Sequence, residues 1–366
     1  MSAAATGPIR AIVSKGAWRR NLTRLRAAAP TAKFLAVIKA DAYGHGAVQA
    51  ARCLEADAFG VARLGEGLEL RRAGIDKPVV LMEGVFSPAE LQQAVDHQLD
   101  FVVHAAHQID WLERQPAAAV GRVVWLKLNT GMNRLGFEPA ELASVYSRLS
   151  RIALVGEIRL VTHLATADEQ DHALTALQLE RFSLATKSLI CEVAPVCSIG
   201  NSAGILRHLA TQGSWVRAGI ALYGVTPTDE QSAEQLGLEP VMTLESEIIA
   251  LRDIAAGESV GYGASWAASR PTRIAVVAAG YADGVPRHWP SGAPVLIAGQ
   301  PAPLVGRVSM DMITVDVTDL EAAQVGERVV LWGDGLPVHE VARRAGTIGY
   351  ELLCRVTARV PRIYRE

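Results

Sequence analysis

Phe34-Leu35-Ala36-Val37-Ile38-Lys39-Ala40-Asp41-Ala42-Tyr43-Gly44-His45-Gly46 opens with an apolar run that has the length and composition of a buried strand. A lysine stands at its end. At the mouth of such a strand the amine is partly desolvated, which lowers its pKa and frees it as a nucleophile or base. The tyrosine and two glycines that come next suit a turn that brings backbone and hydroxyl donors close to a ligand. Lysines that form imines serve pyridoxal phosphate chemistry and Schiff-base aldolases.

Runs of the same kind recur downstream. With Phe34-Ile38 they are Phe59-Ala62, Pro78-Met82, Phe101-Val103, Val123-Leu128, Ile158-Thr162, Val196-Ile199 and Trp215-Ala221, eight in all. Helix-like segments lie between most of them. Ser87-Pro88-Ala89-Glu90 reads as a capping box with proline at the first helical position, followed by Leu91, Ala94, Val95 and Gln98. Residues 167–189 carry Leu174, Leu177, Phe182 and Leu189 among charges, as an amphipathic helix should. Eight buried strands alternating with helices predict an α/β fold, a (β/α)8 barrel over residues 1–239. A doubly wound sheet is the alternative.

From about residue 240 the pattern changes. Short runs rich in Val, Ile and Thr, punctuated by glycine and proline, appear at Glu247-Leu251, Arg273-Ala278, Pro294-Ile297, Met312-Val317, Arg328-Leu331 and Arg359-Ile363. They predict a mostly β domain over 240–366, which the strand near 9–14 could join. At 366 residues two domains are the default. A net charge of −2 gives no argument for nucleic acid or an anionic membrane surface. No apolar run approaches a bilayer span, and residues 1–8 carry no basic-then-apolar leader, so a cytoplasmic protein is expected. Cys53, Cys191, Cys197 and Cys354 are scattered and read as reduced thiols. His104 and His107, three apart, read as histidines after a strand rather than a metal site.

Enzymes built on such barrels carry their chemistry at the C-terminal ends of the strands. Lys39 ends the first run, Lys127 the fifth and His163 the sixth. Asn201 and Ser202 follow the seventh, and Arg217, Gly219 and Ile220 belong to the eighth or lie just past it, where barrels commonly bind phosphate. Reactive residue types thus gather at one face.

Taken in order, the motifs resemble those of the alanine racemases, a family of fold-type III enzymes that use pyridoxal 5'-phosphate. They are Ala36 to Gly46, Lys127-Leu128-Asn129-Thr130-Gly131-Met132-Asn133-Arg134-Leu135-Gly136, Thr162 to Asp168, Val216 to Gly224, Gly261-Tyr262-Gly263, Gly280 to Gly284, Val308-Ser309-Met310-Asp311 and Ile348-Gly349-Tyr350-Glu351. The resemblance covers nearly the whole chain. It implies racemisation of L- and D-alanine by a homodimer with shared active sites. Lys39 would hold the cofactor and move a proton on one face of the substrate. Tyr262, supplied by the partner subunit, would act on the other. A free phenol titrates near 10, so to serve as a base near neutrality it needs neighbours that favour phenolate. His163 beside it and Arg217 beyond are the family's candidates.

The resemblance assigns further roles. Arg217 would face the pyridine nitrogen, where an arginine cannot accept a proton. Tyr43, Asn201, Ser202, Gly219, Ile220 and Tyr350 would surround the phosphate. Arg134 and the Met310 N–H, with Asp311 nearby, would take the substrate carboxylate. Lys127, carbamylated in many members, would orient Arg134; pairing of an unmodified Lys127 with an acidic neighbour is the alternative. Tyr281, Tyr350 and Tyr262 would narrow the entrance and favour a side chain as small as methyl. The departures are Leu164, where phenylalanine is common, and Gly263-Ala264-Ser265-Trp266 after Tyr262.

Three competing readings remain at this level. A serine or broad-spectrum racemase would differ only in residues lining the pocket. A non-enzymatic carrier of the same cofactor would lack the β domain. A decarboxylase of the same fold type would need a catalytic cysteine late in the chain; Cys354, in Leu352-Leu353-Cys354-Arg355, reads instead as buried packing.

Overall fold

Each of the apolar runs in the first part of the chain becomes a parallel strand. In the computed structural model, which describes residues 7–115, 121–187, 189, 194–207 and 213–366, the strands are Lys33–Val37, Ala58–Val61, Val79–Leu81, Asp100–Val103, Arg122–Lys127, Val155–Val161, Val196–Ser198 and Trp215–Ala218. They close into a barrel, the last pairing with the first in the register Lys33↔Trp215 to Ala36↔Ala218. The side chains of the first four strands and the last are buried almost throughout, with Phe34, Phe59 and Phe101 at 1% exposure or less, and Trp125 in the fifth is buried as deeply. Near the end where the strands begin, Trp125 and Trp215 meet edge to face at 5.5 Å, and the Arg159 guanidinium lies over both rings.

The eighth run ends sooner than its composition suggests. After Ala218 the backbone turns at Gly219 and winds into a short 3-10 helix, Ile220–Tyr223. The helix Pro88–Asp96 starts as expected, with the Ser87 side chain accepting from the Glu90 N–H at 3.1 Å. Helix Ala173–Lys187 presents a different face from the one its leucines imply. It buries Thr175, Gln178, Phe182 and Ala185, while Leu177 is exposed. The physical reason is polar: the Gln178 amide is needed inward, where it bonds the backbone at the barrel mouth.

The second sheet has eight strands among the described residues. Its main order is Gln300–Pro303, Pro294–Ile297, Arg328–Trp332, Met242–Ile254, Arg10–Ser14 and Arg362–Arg365; Thr272–Val277 and Ile313–Asp316 continue from Met242–Ile254. The chain's first strand thus lies between two of its late ones, antiparallel to Met242–Ile254 and parallel to Arg362–Arg365. Helix Gly349–Arg355 and the last strand press this part onto the residues just after Lys39. A Cβ at Gly44 would collide with the Leu353 carbonyl at 2.2 Å, so only glycine, at φ +78°, allows the contact. In that helix Leu352 and Leu353 take the core-facing positions, and Cys354 is exposed rather than packed. Cys191 lies outside the described residues. No helix among those residues is long and apolar enough to cross a membrane.

Candidate active site

The turn after Lys39 is unusual in hand. Ala40, Asp41, Ala42 and Tyr43 all have φ between 51 and 53°, a complete left-handed turn without a glycine. Left-handed backbone costs about 1–2 kcal/mol per residue, so about 4–8 kcal/mol over the turn. Several bonds offset this. Glu66 Oε1 accepts from the Ala40 N–H at 2.7 Å, and Asp41 Oδ1 from the Ala47 N–H at 2.7 Å. His45 Nδ1 lies 3.0 Å from the Ala42 carbonyl and 2.8 Å from that of Tyr43. Arg362 Nε donates to the Gly44 carbonyl at 3.0 Å, and the Tyr364 hydroxyl to that of His45 at 3.0 Å. The last strand of the chain therefore braces the segment that presents Lys39.

The turn aims Tyr43 at the ends of strands seven and eight. A Cβ built on Gly219 would meet the Tyr43 hydroxyl at 3.0 Å, with Ser202 Oγ at 3.8 Å, so the missing side chain leaves a small polar cradle. Ser202, buried, accepts from the Gly219 N–H at 2.9 Å and the Ala221 N–H at 3.3 Å. Asn201 caps the next short helix through the Gly204 N–H at 3.0 Å. The Tyr43 ring stacks on Tyr223 at 4.6 Å and reaches Tyr350 at 6.0 Å. Burial pushes the Tyr350 phenol up to about 12 and that of Tyr43 higher still, so both remain donors.

Arg217 stands beside this cradle, buried and without a carboxylate. Nη1 donates to the Ser198 carbonyl at 2.9 Å and its Oγ at 2.8 Å; Nη2 donates to the carbonyls of Thr162 (2.7 Å) and Ile199 (3.0 Å) and to His163 Nδ1 (3.3 Å). Burying a cation costs several kcal/mol. Charge-assisted hydrogen bonds, about 1.5–3 kcal/mol each, offset it. Burial brings the guanidinium down to about 10, which leaves it charged at neutral pH. His163 goes the other way. Burial, then Arg217, Lys127, Arg134 and Lys39, lower it to about 3. It is neutral, and because Nδ1 accepts from Arg217 its proton sits on Nε2. Gln178 steadies this histidine, its Nε2 donating to the His163 carbonyl at 3.0 Å while Oε1 accepts from the Ala165 N–H at 2.9 Å.

Lys127 ends strand five inside the same cationic group. Burial, then Arg134, Arg217 and Lys39, lower its amine to about 8, opposed by Glu83. Arg134 is exposed on the adjoining loop, which closes where the Phe137 N–H donates to the Lys127 carbonyl at 2.9 Å and the Asn129 N–H to that of Phe137 at 2.8 Å.

The remaining residues of interest form a second group, on the β domain. Tyr262, between Gly261 and Gly263, is 68% exposed. Tyr281 and Met310 are exposed as well, and their loops are pinned to each other: the Tyr281 N–H donates to the Ser309 carbonyl at 3.1 Å and the Ala282 N–H to that of Met310 at 2.9 Å. Arg359 ties the pair together, bonding buried Asp283 at 2.6 Å and Asp311 at 2.7 Å. Among the described residues no hydrogen bond, ion pair or ring contact joins Tyr262, Tyr281 or Met310 to the barrel group. Sequence reasoning gave no role to His45, Glu66, Gln178, Arg359 or Arg362; His45 stands within the motif after Lys39, and hydrophobic spacing marks none of the others.

Two family models match the chain. One is described as alanine racemase, N-terminal domain, over residues 13–227, and the other as alanine racemase, C-terminal domain, over residues 241–364. The chain is 50% identical over 361 residues to the alanine racemase of Stutzerimonas stutzeri (strain A1501), covering 98% of this chain and 99% of the relative. It is 52% identical over 351 residues to that of Azoarcus sp. (strain BH72), covering 95% and 97%. The crystal structure of the biosynthetic alanine racemase from Pseudomonas aeruginosa superposes with a TM-score of 0.94 at 47% identity, covering 99% of this chain and all of that one.

Proposed function

The chain belongs to the alanine racemase family, and from that premise we propose that Lys39 and Tyr262 of the partner subunit are its two proton carriers. It is an isomerase that interconverts L- and D-alanine with pyridoxal 5'-phosphate as cofactor. The residues fit that group: a cradle at Gly219 that a Cβ would fill suits a phosphate, and a buried guanidinium without a carboxylate suits a ring nitrogen that accepts. When bound, the cofactor supplies the electron sink that lets an α-proton leave.

The other tasks fall to side chains. Lys39 holds the cofactor through its ε-amine and, once released, takes or returns a proton on its own face of the substrate Cα. Tyr43, Ser202, Tyr350 and the backbone N–H groups of Gly219 and Ile220 hold the phosphate, with Asn201 capping the helix beneath. Arg217 donates toward the ring nitrogen and cannot give up its proton there. Through its contact with His163 it also fixes the histidine as an Nε2 donor. A neutral donor of this kind stabilises the phenolate of Tyr262 by hydrogen bonding, without a cation at the site of proton transfer.

Arg134 and the Met310 N–H receive the substrate carboxylate, with Asp311 near them. Lys127, with its amine lowered to about 8, has a neutral fraction able to add to carbon dioxide, giving up one N–H proton to solvent and leaving a carbamate that orients Arg134. Tyr262, Tyr281 and Tyr350 narrow the entrance. The dimer supplies the second group of residues to the first, and its place is the cytoplasm, where the free cysteines stay reduced.

The observation that carries this reading is the Arg217–His163 contact at the barrel mouth that also presents Lys39. Exchange of the α-proton with deuterated solvent tests it. Lys39→Ala and Tyr262→Phe should each abolish exchange selectively, for opposite enantiomers of alanine. Equal loss for both enantiomers in both variants would remove the two-carrier assignment.

A further inference from the structure

The left-handed turn between Lys39 and the phosphate cradle depends on a side chain to which no role in the reaction has been given. His45 comes directly after the turn, fully buried, with Trp18 at 5.8 Å and Tyr223 at 4.7 Å between ring centroids. Its Nδ1 faces the carbonyls of Ala42 (3.0 Å) and Tyr43 (2.8 Å). Carbonyls only accept, so Nδ1 carries the proton. Burial lowers the ring to about 4, so it is neutral at any working pH.

One N–H shared between consecutive carbonyls fixes both peptide planes. Reversing the hand of the turn would swing those carbonyls off the imidazole and carry the Tyr43 ring away from Gly219 and Ser202. The other braces act elsewhere: Glu66 at Ala40, Asp41 at Ala47, Arg362 at Gly44. Among the described residues His45 is the one side chain bonded to the Tyr43 peptide.

We infer that His45 is a positioning residue, whose Nδ1–H locks the left-handed turn and so sets the Tyr43 hydroxyl against the cradle at Gly219 and Ser202. The inference rests on reading that cradle as the phosphate site.

The test compares binding of pyridoxal 5'-phosphate with binding of pyridoxal, its phosphate-free form, to full-length protein stripped of cofactor, followed by tryptophan quenching. The readout is the ratio of the two dissociation constants. Tyr43→Phe removes the hydroxyl and should cut the preference for the phosphorylated form about tenfold, as loss of a hydrogen bond to a charged group does. His45→Leu should cut it by a similar factor. His45→Asn, whose amide nitrogen can occupy the place of Nδ1 and donate alike, should keep it within about threefold of the parent. His45→Phe, a ring of similar volume without the donor, replaces the leucine variant if that fails to fold, and the ratio is read alongside the thermal midpoint of each protein.

A histidine that merely packs would lower the midpoint and leave the ratio unmoved. If Tyr43→Phe lowers the ratio while His45→Leu and His45→Phe retain it, the positioning role is wrong and the cradle reading stands. An asparagine variant as impaired in the ratio as the leucine one also overturns the role, since the donor would then not be what matters. Should Tyr43→Phe itself leave the ratio unchanged, the cradle reading fails and the inference falls with it.

Discussion

Arg217 is 5% exposed and Tyr262 is 68% exposed, although both are assigned to one reaction. The contrast extends to their surroundings. Around Arg217 the barrel mouth is finished: carbonyls, a neutral histidine and a glutamine behind it leave each group oriented before any ligand arrives. The β-domain residues Tyr262, Met310 and Tyr281 present large apolar surface to solvent, the last two on loops that Arg359 braces. Electrostatic preorganisation can be built within one chain, because it needs only fixed dipoles and burial. A group meant for the opposite side of the substrate cannot be delivered by the loops that already occupy this side. The proposed twofold dimer would solve that problem for both sites at once, each copy lending what the other lacks.

Mixing experiments would break this contrast most directly. Lys39→Ala and Tyr262→Ala proteins should each be inactive alone. After dissociation and reassociation of an equal mixture, half the dimers should be mixed, and each mixed dimer should hold one intact site. Activity should therefore rise from background to about a quarter of the parent value. Mass spectrometry of the dimers establishes exchange independently. Exchange without recovered activity would show that Tyr262 acts within its own chain or not at all.

The barrel side can be perturbed without touching the shared side. Gly219→Ala places a methyl 3.0 Å from the Tyr43 hydroxyl, in the space assigned to the phosphate. Cofactor affinity should fall about tenfold, the scale of one charge-assisted hydrogen bond displaced. Reconstitution titrations measure this. In mixing experiments the defect should stay with the chain that carries the substitution, whichever partner it has. A defect relieved by the partner would mean the cradle is built across the interface.

Much of the contrast was legible in the sequence on one side only. The barrel strands were visible because each is a short apolar run, and Lys39, Lys127, His163 and Arg217 because charged or titratable residues at strand ends are conspicuous. The turn beyond Lys39 was not legible as to hand. Ala40-Asp41-Ala42-Tyr43 has no glycine, and its left-handed form is imposed by Glu66, His45 and Arg362, distant or unremarkable in sequence. The helix over 173–187 misled in the same way, since its inward face includes Gln178, held by polar bonds that hydrophobic spacing does not register. Cys354 read as packing because leucines precede it, yet those leucines fill the core and leave it exposed. Tyr262 had no local signal, and only the order of motifs along the chain singled it out.

The smallest effect sharpens the comparison from within the barrel. If Lys127 carries a carbamate, exhaustive removal of carbon dioxide should raise KM for alanine a few-fold and leave kcat nearly unchanged, because Arg134 loses the anion that orients it. Carbon dioxide adds only to the neutral amine. With the amine lowered to about 8 by burial and by Arg134, Arg217 and Lys39, the neutral fraction climbs steeply from pH 7 to 9 and then levels off. At a fixed concentration of dissolved carbon dioxide the initial rate of recovery should rise about tenfold from pH 7 to 9 and hardly further by pH 10. An ordinary lysine, titrating near 10.4, would still gain about sevenfold between pH 9 and 10. A rate that keeps climbing in that last interval, or a KM indifferent to carbon dioxide, would leave Lys127 as a cation opposite Glu83. The barrel mouth would then be preorganised by cations and neutral donors rather than by an anion facing Arg134.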